Sequence, residues 1–298
     1  MRVTNRMLST NLLSNLNRNL NIMSKTQNQM STGKKVSRPS DDPVAVTLIM
    51  GNHSTISEQE RCMKNMEDGI DWLDATDSAL GDITSVIQRV SELAVAGASD
   101  TNSTSSKEAI AKEIGQLSDQ LFQIANTNYA GRYIFGGTYT NQTPFVKDSG
   151  EIEYQGNDES LNWEINTGIT IAVNATGQDI FQVDSSTGKS KLFQLLADIK
   201  TTLETESGDA GDYLDDIQEQ LDNVLEQRAI VGAKGKRLEM AKEQMSEVNL
   251  NLTELNSKME DIDIAEATMN YAMQEAVYKA ALMTGTKILQ PSLLDYLN

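Results

Sequence analysis

Residues 231–287 read VGAKGKRLEMAKEQMSEVNLNLTELNSKMEDIDIAEATMNYAMQEAVYKAALMTGTK, and their spacing decides the fold. Alternate steps of three and four from Val231 land on Lys234, Leu238, Ala241, Met245, Val248, Leu252, Leu255, Met259, Ile262, Glu266, Met269, Met273, Ala276, Ala280, Met283 and Lys287; fourteen of these seventeen positions are apolar. An apolar seam of period 3.5 kept up over about eight heptads marks a long helix packed lengthwise against other helices. Nothing in the seam interrupts it, so one continuous helix is expected.

Upstream, Cys62, Met66, Gly69, Leu73, Thr76, Leu80, Ile83, Ile87, Val90, Ala94 and Gly97 follow the same steps, giving a second long helix able to lie beside the first. Its start is marked by Asp41-Asp42-Pro43, an acidic cap before a proline at the first helical position, where the missing N–H is harmless. Ser105-x-x-Glu108 reads as a capping box opening another helix to about Asn128, with Ile110, Ile114, Leu117, Leu121 and Ile124 on one face. Helix resumes near Lys189, with Leu192, Leu195, Leu196, Ile199 and Leu203 aligned.

Between these helices the pattern changes. Residues 159–165 alternate polar and apolar, the turn residues Asn166-Thr167-Gly168 follow, and Ile169, Ile171 and Val173 alternate again, which is a hairpin. Nine of the fifteen aromatics fall within residues 129–193, and residues 1–71 contain none. The expected architecture is mainly α with a β insertion (α+β), divided into residues 1–40 plus 258–298, a helical part at 41–138 plus 189–257, and an all-β outer region at 139–188.

Charge is as uneven as the aromatics. The chain of 298 residues has 25 Lys+Arg against 43 Asp+Glu, a formal charge of -18, yet its first 40 residues carry seven bases and no acid. Acidity of this degree argues against a nucleic-acid partner, since phosphate contacts need clustered Lys and Arg. One cysteine, Cys62, and one histidine, His53, leave little for a disulfide, a zinc site or a histidine-based catalytic centre. No apolar run resembles a secretory signal or a membrane span, so a cytoplasmic chain or one exported by another route is expected, with no membrane partner.

Leu8, Leu12, Leu16, Leu20 and Met23 form a stripe at helical spacing, but seven asparagines in the first 40 residues weaken that helix. Ordering 40 residues costs roughly 40–80 kcal/mol of backbone entropy. One leucine stripe does not offset that alone. The matching carboxyl-terminal stripe, Ile262, Met269, Met273, Ala276, Ala280, Met283, Leu293 and Leu294, supplies a partner in this chain and in its neighbours. Both ends are expected to be disordered in the monomer and to order on assembly.

Three motifs invite chemistry and resist it. Gly131 to Thr138 nearly matches a phosphate-binding loop, but Gly137 stands where the lysine must be, so a helix-to-strand exit is expected. Asp261-Ile262-Asp263 resembles the start of a calcium loop, lacks the required glycine, and reads as exposed carboxylates within a helix. Glu266, on the seam, calls for a polar or cationic partner in the assembled state, for which Arg18 or Lys25 is available. His53 and Cys62, nine residues apart, point in opposite directions. No catalytic residue, cofactor or metal is expected.

The two ends carry a resemblance. Gln29 to Pro43, with Gly33, Asp41, Asp42 and Pro43, is similar to the amino-terminal signature of the flagellin superfamily, and Lys258 to Glu266, with Asp261, Asp263, Ala265 and Glu266, to its carboxyl-terminal counterpart. Lys258 replaces the usual arginine. Proline after the paired aspartates, the stretch Tyr129 to Gly137 and the ending Pro291 to Leu297 look like the hook-associated, junction-forming branch rather than the filament subunit, flagellin. This resemblance implies a non-enzymatic rod of helices whose terminal helices form an inner coiled-coil layer on assembly. It further implies export by the flagellar type III system, a cytoplasmic chaperone at the carboxyl-terminal helix, and a place outside the cell at the distal end of the hook. The partners it implies are other copies of the chain, a hook-associated protein on one side and flagellin on the other.

Overall fold

The computed structural model describes residues 5–99, 103–148, 151–184, 187–205 and 209–289. Seven α-helices dominate: α1 (Asn5–Thr32), α2 (Pro43–Gly97), α3 (Thr104–Ala125), α4 (Gly177–Phe181), α5 (Lys191–Thr205), α6 (Leu214–Glu260) and α7 (Ile264–Leu289). Three antiparallel ribbons of two strands each lie between α3 and α5: β1 (Asn128–Tyr129) with β2 (Arg132–Tyr133), β3 (Phe145–Asp148) with β4 (Glu151–Tyr154), and β5 (Asn162–Asn166) with β6 (Ile169–Ala172). The chain forms two compact units, residues 1–58 with 248–298 and residues 59–247.

The second unit holds the core. All eleven seam positions from Cys62 to Gly97 are buried, and α6 presents Val224, Val231, Leu238 and Met245. Ile114 and Leu121 of α3 and Leu192, Leu196 and Ile199 of α5 join the same cluster. Arg228 bridges to both carboxylate oxygens of Asp77 (2.8 and 3.1 Å) and Lys242 to Glu67 (3.2 Å), so α2 and α6 run antiparallel here. The cap of α3 is Ser103, whose hydroxyl accepts from the Ser106 N–H, two residues before the expected box. Asp42 caps α2 as expected, accepting from Val44 and Ala45 (both 3.0 Å).

The ribbons share this core. Phe135, Phe145, Phe181 and Phe193 pack ring against ring at 4.8–5.9 Å, and the Tyr154 hydroxyl donates to the Phe135 carbonyl (2.9 Å). The region is not purely β, because Thr176 caps the short helix α4. The hairpin turn has Gly168 at φ +76. At the end of the phosphate-loop-like stretch, Gly137 has φ +67, and a Cβ there would stand 2.1 Å from the Asn157 carbonyl oxygen. That glycine is needed for a close backbone approach.

Candidate assembly surface

The first unit is built from α1, the start of α2, the end of α6, and α7. Its helices α1 and α7 run antiparallel, as contacts of Thr26 with Gln274 and Leu12 with Gly285 require. The expected single helix from 231 to 287 is broken. Helix α6 stops at Glu260 and α7 starts at Ile264, and Asp263 caps the new helix by accepting from Ala265 (2.9 Å) and Glu266 (3.2 Å). A period-3.5 pattern does not register such a break when the connector happens to keep step.

This break is where the two resembling motifs meet. Gly33, at φ +70, ends α1, and Lys34 bridges Asp261 across an antiparallel β-pair. The Lys35 N–H donates to the Glu260 carbonyl (2.6 Å), and the Ile262 N–H to the Gly33 carbonyl (3.0 Å). Glu260, 9% exposed in its side chain, is paired with Lys34 and with His53 (2.9 Å) and accepts from Asn256 (3.0 Å). Burial would raise its carboxyl, but hydrogen bonds and charge from Lys34 and His53 outweigh that and hold it below the usual range. Asp41 takes Lys25 (3.3 Å), and chiefly that contact keeps its carboxyl low.

Glu260, His53 and Asn256 were not visible as a site in sequence; the i, i+4 spacing of Asn256 and Glu260 is their only mark. Glu266, whose polar or cationic partner is expected in the assembled state, is not paired with Lys25 in the single chain. It is exposed in the first turn of α7, where an acid suits the positive end of the helix, and Lys25 is engaged elsewhere. Asp261 and Asp263 likewise belong to the connector, as bridge and cap, and not to a helix. Ala265 is exposed in the first turn of α7.

The predicted stripes sit differently in the two helices. Leu12, Leu16 and Met23 of α1 are half-buried on the side facing α7, whereas Leu8 and Leu20 are exposed. On α7 the face turned to α1 carries Ala267, Gln274 and Gly285; Met269, Met273 and Met283 stand 60–68% exposed, Ala276 and Ala280 are exposed, and Ile262 is half-buried in the connector. Leu293 and Leu294 lie outside the described residues.

The imbalance extends over the whole unit. Of the 23 large apolar side chains that are exposed among the described residues, 17 belong to this unit, which contributes only Ile49 and Ala267 to the 40 buried apolar residues. Isolated exposed apolar residues are ordinary; a unit with almost no core of its own and most of the exposed apolar groups is a surface awaiting a partner. No described helix is long and apolar enough to cross a membrane. Among the described residues no group of three or more His, Cys, Asp or Glu could hold a metal.

Known proteins match the chain from both ends, and each match runs from the first unit into the second. Residues 3–140 match the bacterial flagellin N-terminal helical region and residues 214–297 the bacterial flagellin C-terminal helical region. The chain is 29% identical over 288 residues to flagellar hook-associated protein 3 of Escherichia coli, covering 90% of each chain. It is 25% identical over 290 residues to a flagellin of Bacillus subtilis, covering 94% of each. Its fold resembles that of a hook-associated protein structure from Vibrio parahaemolyticus, with a TM-score of 0.68 at 19% identity over 74% of this chain and all of that one.

Proposed function

The chain belongs to the flagellin family, and on that premise we propose that it is a structural adaptor at the junction of flagellar hook and filament. The observation that favours an adaptor over the bulk filament subunit is its greater identity to the E. coli hook-associated protein, 29%, than to the B. subtilis flagellin, 25%, with both likenesses running along nine tenths or more of the chains. Family membership makes it a structural component of the flagellum, with no catalytic chemistry to assign.

The physical form of the terminal unit supports assembly. Copies exported through the flagellar type III channel meet at the distal hook, where residues 1–40 and 258–298 become fully ordered by burying apolar faces in neighbouring subunits. Before export, a cytoplasmic chaperone covers the outward face of α7. One neighbour is a hook-associated protein, and the filament's flagellin is added on the other side. The chain's lone, buried Cys62 leaves it without an internal disulfide to obstruct threading.

Deletion of the gene tests this. Hooks without filaments, with flagellin shed into the medium, are expected; filaments still growing from intact hooks would overturn the adaptor reading, and loss of flagellin itself would identify the chain as the filament subunit.

A further inference from the structure

Two stretches of the second unit, one on α2 and one on α6, each carry charge of a single sign. Residues 65–88 of α2 hold six acids, Glu67, Asp68, Asp71, Asp74, Asp77 and Asp82, and no base; residues 227–238 of α6 hold Arg228, Lys234, Lys236 and Arg237 and no acid. Internal pairing with α6 uses only Asp77 and Glu67. Asp68, Asp71, Asp74 and Asp82 are exposed with no ion-pair or hydrogen-bond partner among the described residues, and so is Arg237. Lys236 is held only by Glu239 on its own helix (2.8 Å).

The leftover charges are placed in register. Asp68 precedes Asp77 by nine residues and Arg237 follows Arg228 by nine; nine steps of an α-helix turn about 180°, so both point away from the Asp77–Arg228 bridge. Because the helices are antiparallel, each nine-residue step of about 14 Å leads to the same level. Gly69 confirms that level, since a Cβ there would stand 3.2 Å from Leu238. The unit thus has an acidic flank and a basic flank at one height.

The acidic flank is shaped. A notch of about 310 Å³ is lined by Asn65, Asp68, Asn162, Trp163 and Glu164. Glu164 is partly engaged, by Arg61 at 3.8 Å and by the Gly168 N–H at 3.2 Å, whereas Asp68 has no cation. A carboxylate beside an indole suits a guanidinium, which pairs with the first and stacks on the second. Around Arg237, exposed Ala233 lets another surface approach, and Met240, 56% exposed, adds apolar area.

We infer that a second copy of this chain fills the notch, its Arg237 seated against Asp68 and Trp163 of the neighbour. Two different flanks at one level make a head-to-tail contact, which repeats around a ring or helix rather than stopping at a pair. The inference rests on the assembly reading and specifies which faces meet side by side.

Charge reversal in a deletion strain tests it. Asp68→Arg and Arg237→Asp are each expected to lower the number of filamented cells by at least about tenfold. The double reversal should recover most of that loss, and unchanged thermal melting of the purified chains would exclude misfolding. A D68C/R237C chain, oxidised in assembled flagella, should yield a ladder of cross-linked copies. Filaments restored equally by wild type and both single reversals, or no ladder, would overturn the flank contact while leaving the adaptor standing. Wild-type chain that restores nothing would remove the adaptor, and with it the contact.

Discussion

Replacing Met269, Met273 and Met283 together by glutamine removes apolar surface from α7 while keeping side-chain length and helix propensity. These side chains are 67%, 60% and 68% exposed in the isolated chain. Fully burying a methionine side chain contributes about 1.5–3 kcal/mol, so covering the remaining two-thirds adds about 1–2 kcal/mol each and roughly 3–6 kcal/mol together. At about 1.4 kcal/mol per factor of ten, binding should weaken by more than about 100-fold. Purified labelled chain can be added to isolated hooks that lack it, and the bound fraction followed against concentration. The half-saturating concentration should rise by that factor while the melting of the second unit stays constant, since its core contains none of the three. A half-saturation within about threefold of wild type, with melting unchanged, would refute the claim that this face is covered on assembly.

Three further outcomes follow from named contacts. Glu260→Gln should weaken the link between the chain ends by about 1–2 kcal/mol at pH 7, less than for a fully buried pair because Lys34 and His53 are half-exposed. Glu260's carboxyl is lowered on folding, so its contribution is present above its unfolded value near 4.5 and lost as pH falls through the folded value; the difference between wild type and variant in terminal-helix melting should close in acid. Gly137→Ala forces a Cβ onto the Asn157 backbone at a positive φ and should cost the second unit about 2–4 kcal/mol, read as a lower Tm. Arg228→Ala removes a bridge whose partners are about 40% exposed, and denaturant unfolding should register under about 1 kcal/mol.

Much of the fold is legible in the residues because helix periodicity and capping are local. The seam from Cys62 to Gly97, the Asp42 cap, the hairpin around Gly168 and the leucine face of α5 each depend on spacing within a few turns. The site was less legible. A period-3.5 pattern continues through Val248, Leu255 and Met269, yet burial along it ends at Met245, where the second unit ends. Periodicity records that a face is apolar and is silent on what covers it.

Sequence by itself therefore determined the helices, the β insertion and the sorting of charge and aromatics, because backbone propensity and side-chain period are written residue by residue. Tertiary structure alone decided that α7 turns Ala267, Gln274 and Gly285 to α1 and its methionines to solvent, and that Glu260 rather than Glu266 is the buried acid. It also joined Gly33 and Lys34 to Asp261 and Ile262. Those outcomes hang on contacts between residues more than 200 positions apart, and a long-range contact leaves no period in either segment that makes it.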